Sequence, residues 1–408
     1  MQQGLKENWK QFVILIIVNA FVGGMVGLER SILPELAASK FNLTGHTLII
    51  SFIITFGLAK AITNYVAGKY ARRFGRKKIL VTGWLLGLPV PFLLIFANSW
   101  DIILVANVFL GLNQGLTWST TVLMKIDLVG EKNRGFAMGL NEFAGYLAVS
   151  IVAFISSWIA MEYGIHPYPF YLGIAIVLIG LLLSVFVVED TTAIASLEKS
   201  SAPAQSSKQI FIDTTWKHRN LSSVTLAGFI NNLNDAMAWG IIPLWMNHQG
   251  YSIGDIGLVA AVYPALWGIG QLFSGKLSDI FCKKDILTYG MVFQAVAIFL
   301  FPLMTSLNSL LILSGILGIG TALVYPTFLS SIAENTNVQN RPESLGVFRF
   351  WRDFGYVVGG LLVGISADWF GFIFSIELVA VLTISSAIVI VTRMYCPTKI
   401  KSVTCFQG

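Results

Sequence analysis

Charge is what this chain has least of. Only 12% of its 408 residues are Asp, Glu, Lys or Arg, against about 25% in soluble domains. With 55% hydrophobic residues and a mean hydropathy of +0.73, an ordinary water-soluble globule is excluded. Cysteine is scarce. Cys282, Cys396 and Cys405 have no paired spacing, so no disulfide framework is expected. His46, His166, His218 and His248 are scattered, without metal-ligand spacing, so neither a metal nor another cofactor is expected. No G-x-x-x-x-G-K-[ST] loop is present, which argues against ATP as a driver. No nucleophile–base pair is evident, so the chain does not read as an enzyme.

What is present is a succession of apolar runs about 20 residues long, the length that spans a bilayer as helix. Twelve are read: 11–36, 48–67, 79–97, 102–125, 135–160, 169–188, 221–246, 255–274, 286–305, 309–332, 346–368 and 372–394. The fold class is therefore all-α integral membrane, with the lipid bilayer as one partner. The first run is too long, and too polar at Glu29 and Arg30, for a signal peptide.

The scarce charge is unevenly placed. "GKYARRFGRKKIL" at 68–80 packs six basic residues between two apolar runs. Loops rich in Lys and Arg stay cytoplasmic. Placing this loop inside puts both termini inside, and collects 21 of the 27 Lys and Arg there, with only Lys40 outside. The basic loops are thus topological, and nucleic acid is not an expected partner. A cell-membrane location, plasma or bacterial inner, follows.

"GKLSDIFCKKDIL" at 275–287 nearly copies the first basic loop, 207 residues later. The same offset aligns Asp127 with Glu334, Arg134 with Arg341 and Gly111 with Gly318. Pro34 pairs with Pro243 at 209, and "FAGY" (143–146) with "DFGY" (353–356) at 210. A six-helix unit is used twice in parallel, an arrangement that places a transporter's substrate site between its halves. The expected units are residues 1–190 and 221–408, joined by a polar cytoplasmic linker at 191–220.

Both loops resemble the G-x-L-x-D-R-x-G-R-R/K signature of the major facilitator superfamily, in the positions that family requires. Arg134, followed by "GFAMGL", also fits. The resemblance implies two parallel six-helix repeats and alternating access. It implies gating roles for Gly68, Gly275, Asp279 and Arg134. Two departures stand out: Arg72 replaces the signature acid in the first loop, and Cys282 replaces a glycine in the second.

Five charged residues lie deep: Glu29, Arg30, Lys60, Glu142 and Asp235. Unpaired in lipid they would cost on the order of 12–17 kcal/mol together. They must face water or one another, and a hydrated cavity between the halves serves both needs. Asn107, Gln114, Trp118, Thr121 and Lys125 share one helical face, directed into that cavity or a helix contact. Phe56, Lys60 and Asn64 have repeat partners Tyr263, Trp267 and Gln271, which suggests two walls of one site. Asn231, Asp235 and Trp239 share a face of the seventh run. Arg349, Arg352 and Asp353 open the eleventh and could pair with Glu142, Lys60 or each other in an inner gate.

These observations lead to a monomeric secondary transporter of a small solute, coupled to protons. Candidate substrate residues are Asn19, Arg30, Lys60, Asn107, Gln114, Trp118, Tyr263 and Trp267. Candidate proton carriers are Glu29, Asp235, Glu142 and Asp353, and Arg352 joins the gate. Asn19 lies almost three turns from Arg30 on one face and is expected to assist it. "LERSILP" resembles the acid–arginine pair of anion:cation symporters in the superfamily, which implies symport of a small organic anion. The rival is a drug/proton antiporter, whose G-x-x-x-G-P-x-x-G-G helix is not matched by "GLNEFAGYLAVS". A non-transporting receptor or sensor is the alternative of another class.

Overall fold

The computed structural model describes residues 4–129, 134–195, 205–337 and 339–396, without the side chains of 68–74, 134–136 and 279. Helices account for nearly all of them. α1 (Trp9–Arg30) bends at Ser31 and Ile32 and continues as Leu33–Ser39, with Pro34 in its first turn. A short turn, His46–Ile49, leads into α2 (Ser51–Phe74). α3 is Arg76–Gly87, continued as Pro89–Ile95. α4 (Trp100–Val129), α5 (Arg134–Tyr163) and α6 (Tyr168–Leu182) follow. α7 (Arg219–Ala236) widens into a π-helical turn at Met237–Ile241 before Ile242–His248. α8 (Ile253–Ile280), α9 (Lys283–Leu300), α10 (Leu307–Glu334), α11 (Arg341–Phe370) and α12 (Phe372–Arg393) complete the bundle.

Among the described residues, nine helices are long and apolar enough to cross a membrane. The stretches α2, α7 and α11 fall outside that set, and they are the ones that carry Lys60, Asp235 and the Arg349–Asp353 group. The outer surface exposes Phe186, Trp369, Phe273 and Ile312 by more than 60% each, a surface suited to lipid rather than water.

Contacts recur at the repeat offset. In one half Arg76 Nε meets Asp127 at 3.2 Å. In the other, 207 residues on, Lys283 Nζ meets Glu334 at 2.9 Å. Gly111 lets α4 approach α2: a Cβ there would lie 2.5 Å from the Phe56 carbonyl. Gly318 does the same for α10 and α8, at 2.5 Å from the Tyr263 carbonyl. The recurrence explains why both positions are glycine, since any side chain would force the helix pair apart.

The repeats meet along two seams. α2 and the His46–Ile49 turn before it run against α11, from Thr47 beside Gly364 to Tyr65 beside Phe350. α5 runs against α8, from Ser157 beside Gly257 to Gly139 beside Gln271. At the end of the bundle opposite the basic loops, Asp368 of α11 closes the first seam. Its carboxylate accepts from the Thr47 hydroxyl (2.6 Å), both His46 and Thr47 backbone N–H groups, and His46 Nδ1. Nearby, Asn247 donates to Glu35 at 2.5 Å.

Part of the expected linker, 196–204, lies outside the described residues; its remainder forms Thr192–Ala195 and Ser207–Ile212, the latter extended by a π-helical turn. No disulfide was expected from the cysteine spacing, but Cys282 and Cys396 are joined by one across 114 residues. Spacing carried no signal because the pairing depends on α8 and α12 ending side by side.

Candidate functional site

Arg30 is the centre of the seam. It is buried, and Nε, Nη1 and Nη2 have no hydrogen-bond partner. Rings surround its guanidinium instead: Phe56 at 4.4 Å, Trp239 at 5.0 Å and Phe52 at 5.7 Å. Phe52 and Phe56 come from α2, and Trp239 from the π-helical turn of α7, so both halves build the cage. Such turns occur often at functional sites, because they redirect a side chain that a regular helix would aim elsewhere. Cation–π attraction offsets part of the desolvation cost, and the unfilled donors leave room for an anion.

Glu29, next to Arg30, is held on one side only. Asn107 donates to its Oε2 at 3.3 Å, while Oε1 is unpartnered. Asp235 faces the same centre from α7. It accepts from the hydroxyls of Tyr263 (α8) and Tyr356 (α11, 3.0 Å). Tyr356 in turn stacks on Trp239, with rings 6.2 Å apart and 12° from parallel.

Asp353 is the hub toward the basic end. Its Oδ1 lies 3.7 Å from Lys60 Nζ and 3.8 Å from an Arg352 nitrogen, and accepts weakly from Asn232. Its Oδ2 accepts from Asn64 at 2.5 Å. The chain continues through Ser119, which donates to Asn64, to Arg349, which donates to Ser119 at 3.2 Å. This network ties α2 and α4 of one half to α7 and α11 of the other. Arg352 also stacks on Tyr325 at 4.3 Å, with Nε and Nη2 unpartnered.

A second polar cluster lies in the first half. Trp118 and Asn141 both donate to Glu142 Oε1 at 2.9 Å, leaving Oε2 free. Lys125 donates to the Leu15 carbonyl. Gln114 donates to the Val22 carbonyl, so its amide is spent on packing α4 to α1. Tyr146 joins this cluster to the second half by stacking on Trp267 at 3.5 Å, and Trp267 lies beside Tyr263. In the second half Trp239 and Tyr263 line a small apolar cavity, little more than the space of one water, walled also by Met237, Met246, Leu317 and Phe301.

Asn19 does not join Arg30. It donates to the Asn141 carbonyl at 2.7 Å and accepts from Thr121. Eleven residues on one helical face still separate the two by about 16 Å along the axis. Gly68, Arg134 and Asp279 lie in helices, but their side-chain surroundings fall outside the described residues; Gly275 has open space where a side chain would stand. Sequence reading missed Tyr146, Tyr325 and Tyr356. The first and last are partners in the "FAGY"/"DFGY" match, so repeat symmetry itself held the signal.

Such a bundle, with charged groups gathered where two repeats meet, defines a polytopic transporter. The Major Facilitator Superfamily model matches residues 13–221 and 224–402. The chain belongs to the Major Facilitator Superfamily. It is a multi-pass transporter of the cell membrane. It is similar to the proton-coupled antiporter flippase LtaA of Staphylococcus saprophyticus, 25% identical over 384 residues that cover 90% of this chain and 91% of the relative. The LtaA of Staphylococcus haemolyticus is 24% identical over 379 residues, 90% and 89% of the two chains. Among solved structures, that of the human organic anion transporter MFSD10 (TETRAN) superposes with a TM-score of 0.73. It shares 12% identity and covers 93% of this chain and 99% of the other, a likeness of fold. The expectation of symport finds no support in these relatives, whose names describe antiporters.

Proposed function

We propose that this protein is a proton-coupled antiporter of amphiphilic anions. Twelve membrane spans, both termini on the basic, cytoplasmic side, and alternating exposure of one central site complete the reading. Arg30 takes the anionic group, Glu29 and Asp235 exchange the proton, and the apolar side chains around Trp239 and Tyr263 part to take the tail.

The observation that carries the reading is the Arg30 guanidinium, buried with all three nitrogens unpartnered in an aromatic cage. Glu29 and Asp235 lie within electrostatic reach of Arg30, but neither accepts from it; buried donors left empty are costly, and an arriving anion relieves that cost. The likeness to relatives named proton-coupled antiporter flippases supports both the coupling and the amphiphile. Antiport replaces the symport implied by the "LERSILP" resemblance. The anion remains, now with an apolar body, because the second half lines its side of the site with Trp239, Tyr263 and Met237.

Hexyl phosphate, added outside proteoliposomes that enclose a pH dye, tests this. Exchange for protons should make the interior more alkaline, and hexyl glucoside should have no effect. Acidification on adding the phosphate would mean cotransport. No pH change with any anionic amphiphile would reject the reading.

A further inference from the structure

Three cations stand in file along the α2–α11 seam, Arg30 and Arg352 buried and Lys60 half-buried between them. Arg30 covers Phe52 and Phe56, roughly 8–14 Å along α2 from Thr47. Lys60 stands roughly 20 Å along α2 from Thr47, and Arg352 roughly 24 Å along α11 from Asp368, which Thr47 touches. Neighbours share a partner. Phe56 lies under both Arg30 and, at 5.4 Å, Lys60. Asp353 Oδ1 faces both Lys60 and Arg352, at 3.7 and 3.8 Å. Asp235 acts on both cations and Glu142 on Arg352 from farther off, but the nearest carboxylate oxygen to either is Asp353 Oδ1, at ion-pair rather than hydrogen-bond distance. Arg352 keeps Nε and Nη2 unpartnered although it is 4% exposed. A purely structural arginine in this position would use those donors, since each one left empty costs about 1–3 kcal/mol.

We propose that Arg352 is a second anion-binding station, nearer the basic end, to which the substrate's anionic group passes from Arg30 by way of Lys60. Asp353 is its displaceable counter-ion. In the empty carrier Asp353 shields Lys60 and Arg352; an arriving phosphate or carboxylate replaces it on Arg352 and frees it toward Asn64 and Asn232. The ring of Tyr325 beneath the guanidinium holds it in place during that exchange. This station rests on the anion reading above and adds a distinct prediction: the two faces of the carrier differ in which arginine sets their affinity.

The test is hexyl phosphate counterflow in membrane vesicles of both orientations, so that KM is read separately at each face. Arg352→Gln should raise KM at the basic face about tenfold or more and change KM at the opposite face less than threefold; Arg352→Lys should restore part of the loss. Asp353→Asn, which removes the competing counter-ion, should lower KM at the basic face even where the turnover rate falls. An equal change at both faces for Arg352→Gln, a fall in rate alone, or a higher basic-face KM for Asp353→Asn would each overturn the second station. If the wild-type protein does not exchange hexyl phosphate from either face, the anion reading itself is wrong. If Arg30→Gln abolishes exchange but Arg352→Gln leaves basic-face KM unchanged, only the station falls.

Discussion

Arg30 and Trp239 stand 209 residues apart, the same separation as Pro34 and Pro243, which follow them in their helices, and the guanidinium lies 5.0 Å from the indole. Repeat-related positions in the two halves thus meet at the centre, one carrying the cation and the other a ring for it.

That contact predicts a measurable coupling. A desolvated cation–π pair is worth about 2 kcal/mol. Trp239→Phe should keep most of the wild-type thermal stability, and Trp239→Leu should lose more despite similar bulk. In an Arg30→Gln background the difference between Phe and Leu should shrink toward zero. A difference that persists there would show that Trp239 acts through packing alone.

The four donors that converge on Asp368 predict a latch at the end of the bundle opposite the basic loops. Asp368→Ala should release α11 from the His46–Ile49 turn and favour the form open at that end. Spin labels at Leu48 and Trp369, both well exposed, report it as a longer distance population. An unchanged distance distribution would mean that Asp368 caps the turn without holding the halves together.

The disulfide gives the topology a chemical test. Cys282 and Cys396 are placed together at the basic end. After reduction, an impermeant maleimide should label them only once the basic face is accessible, as in inside-out vesicles. Labelling in intact, reduced cells would reverse the orientation that the 27 Lys and Arg predict.

Much of this architecture was legible in the sequence, for physical reasons. Charge inside apolar runs is costly, so Glu29, Arg30, Lys60, Glu142 and Asp235 stood out by their expense alone. The 207-residue offset that aligned Asp127 with Glu334 reappears as two ion pairs in space. The aromatic wall was legible only in part: Phe56, Tyr263 and Trp267 stood out through the repeat, beside polar residues on the same stripe. A Tyr or Phe in a membrane helix costs little and packs anywhere, so Tyr146, Tyr325 and Phe52 carried no signal of their own. Asn19 misled because a shared helical face says nothing about height along the axis. Asp368 sits at a helix end, where an acid normally meets water, and only the fold brings Thr47 and His46 to it.

The division of labour between Glu29 and Arg30 is the central claim, and counterflow set beside gradient-driven transport tests it most directly. Counterflow of hexyl phosphate needs binding and movement but no net proton transfer. Glu29→Gln should therefore preserve counterflow, because Arg30 keeps its cage, and abolish accumulation driven by a pH gradient. Arg30→Ala, in protein that still folds, should abolish both. Counterflow at the wild-type rate in Arg30→Ala, or gradient-driven accumulation with normal pH dependence in Glu29→Gln, would contradict the account.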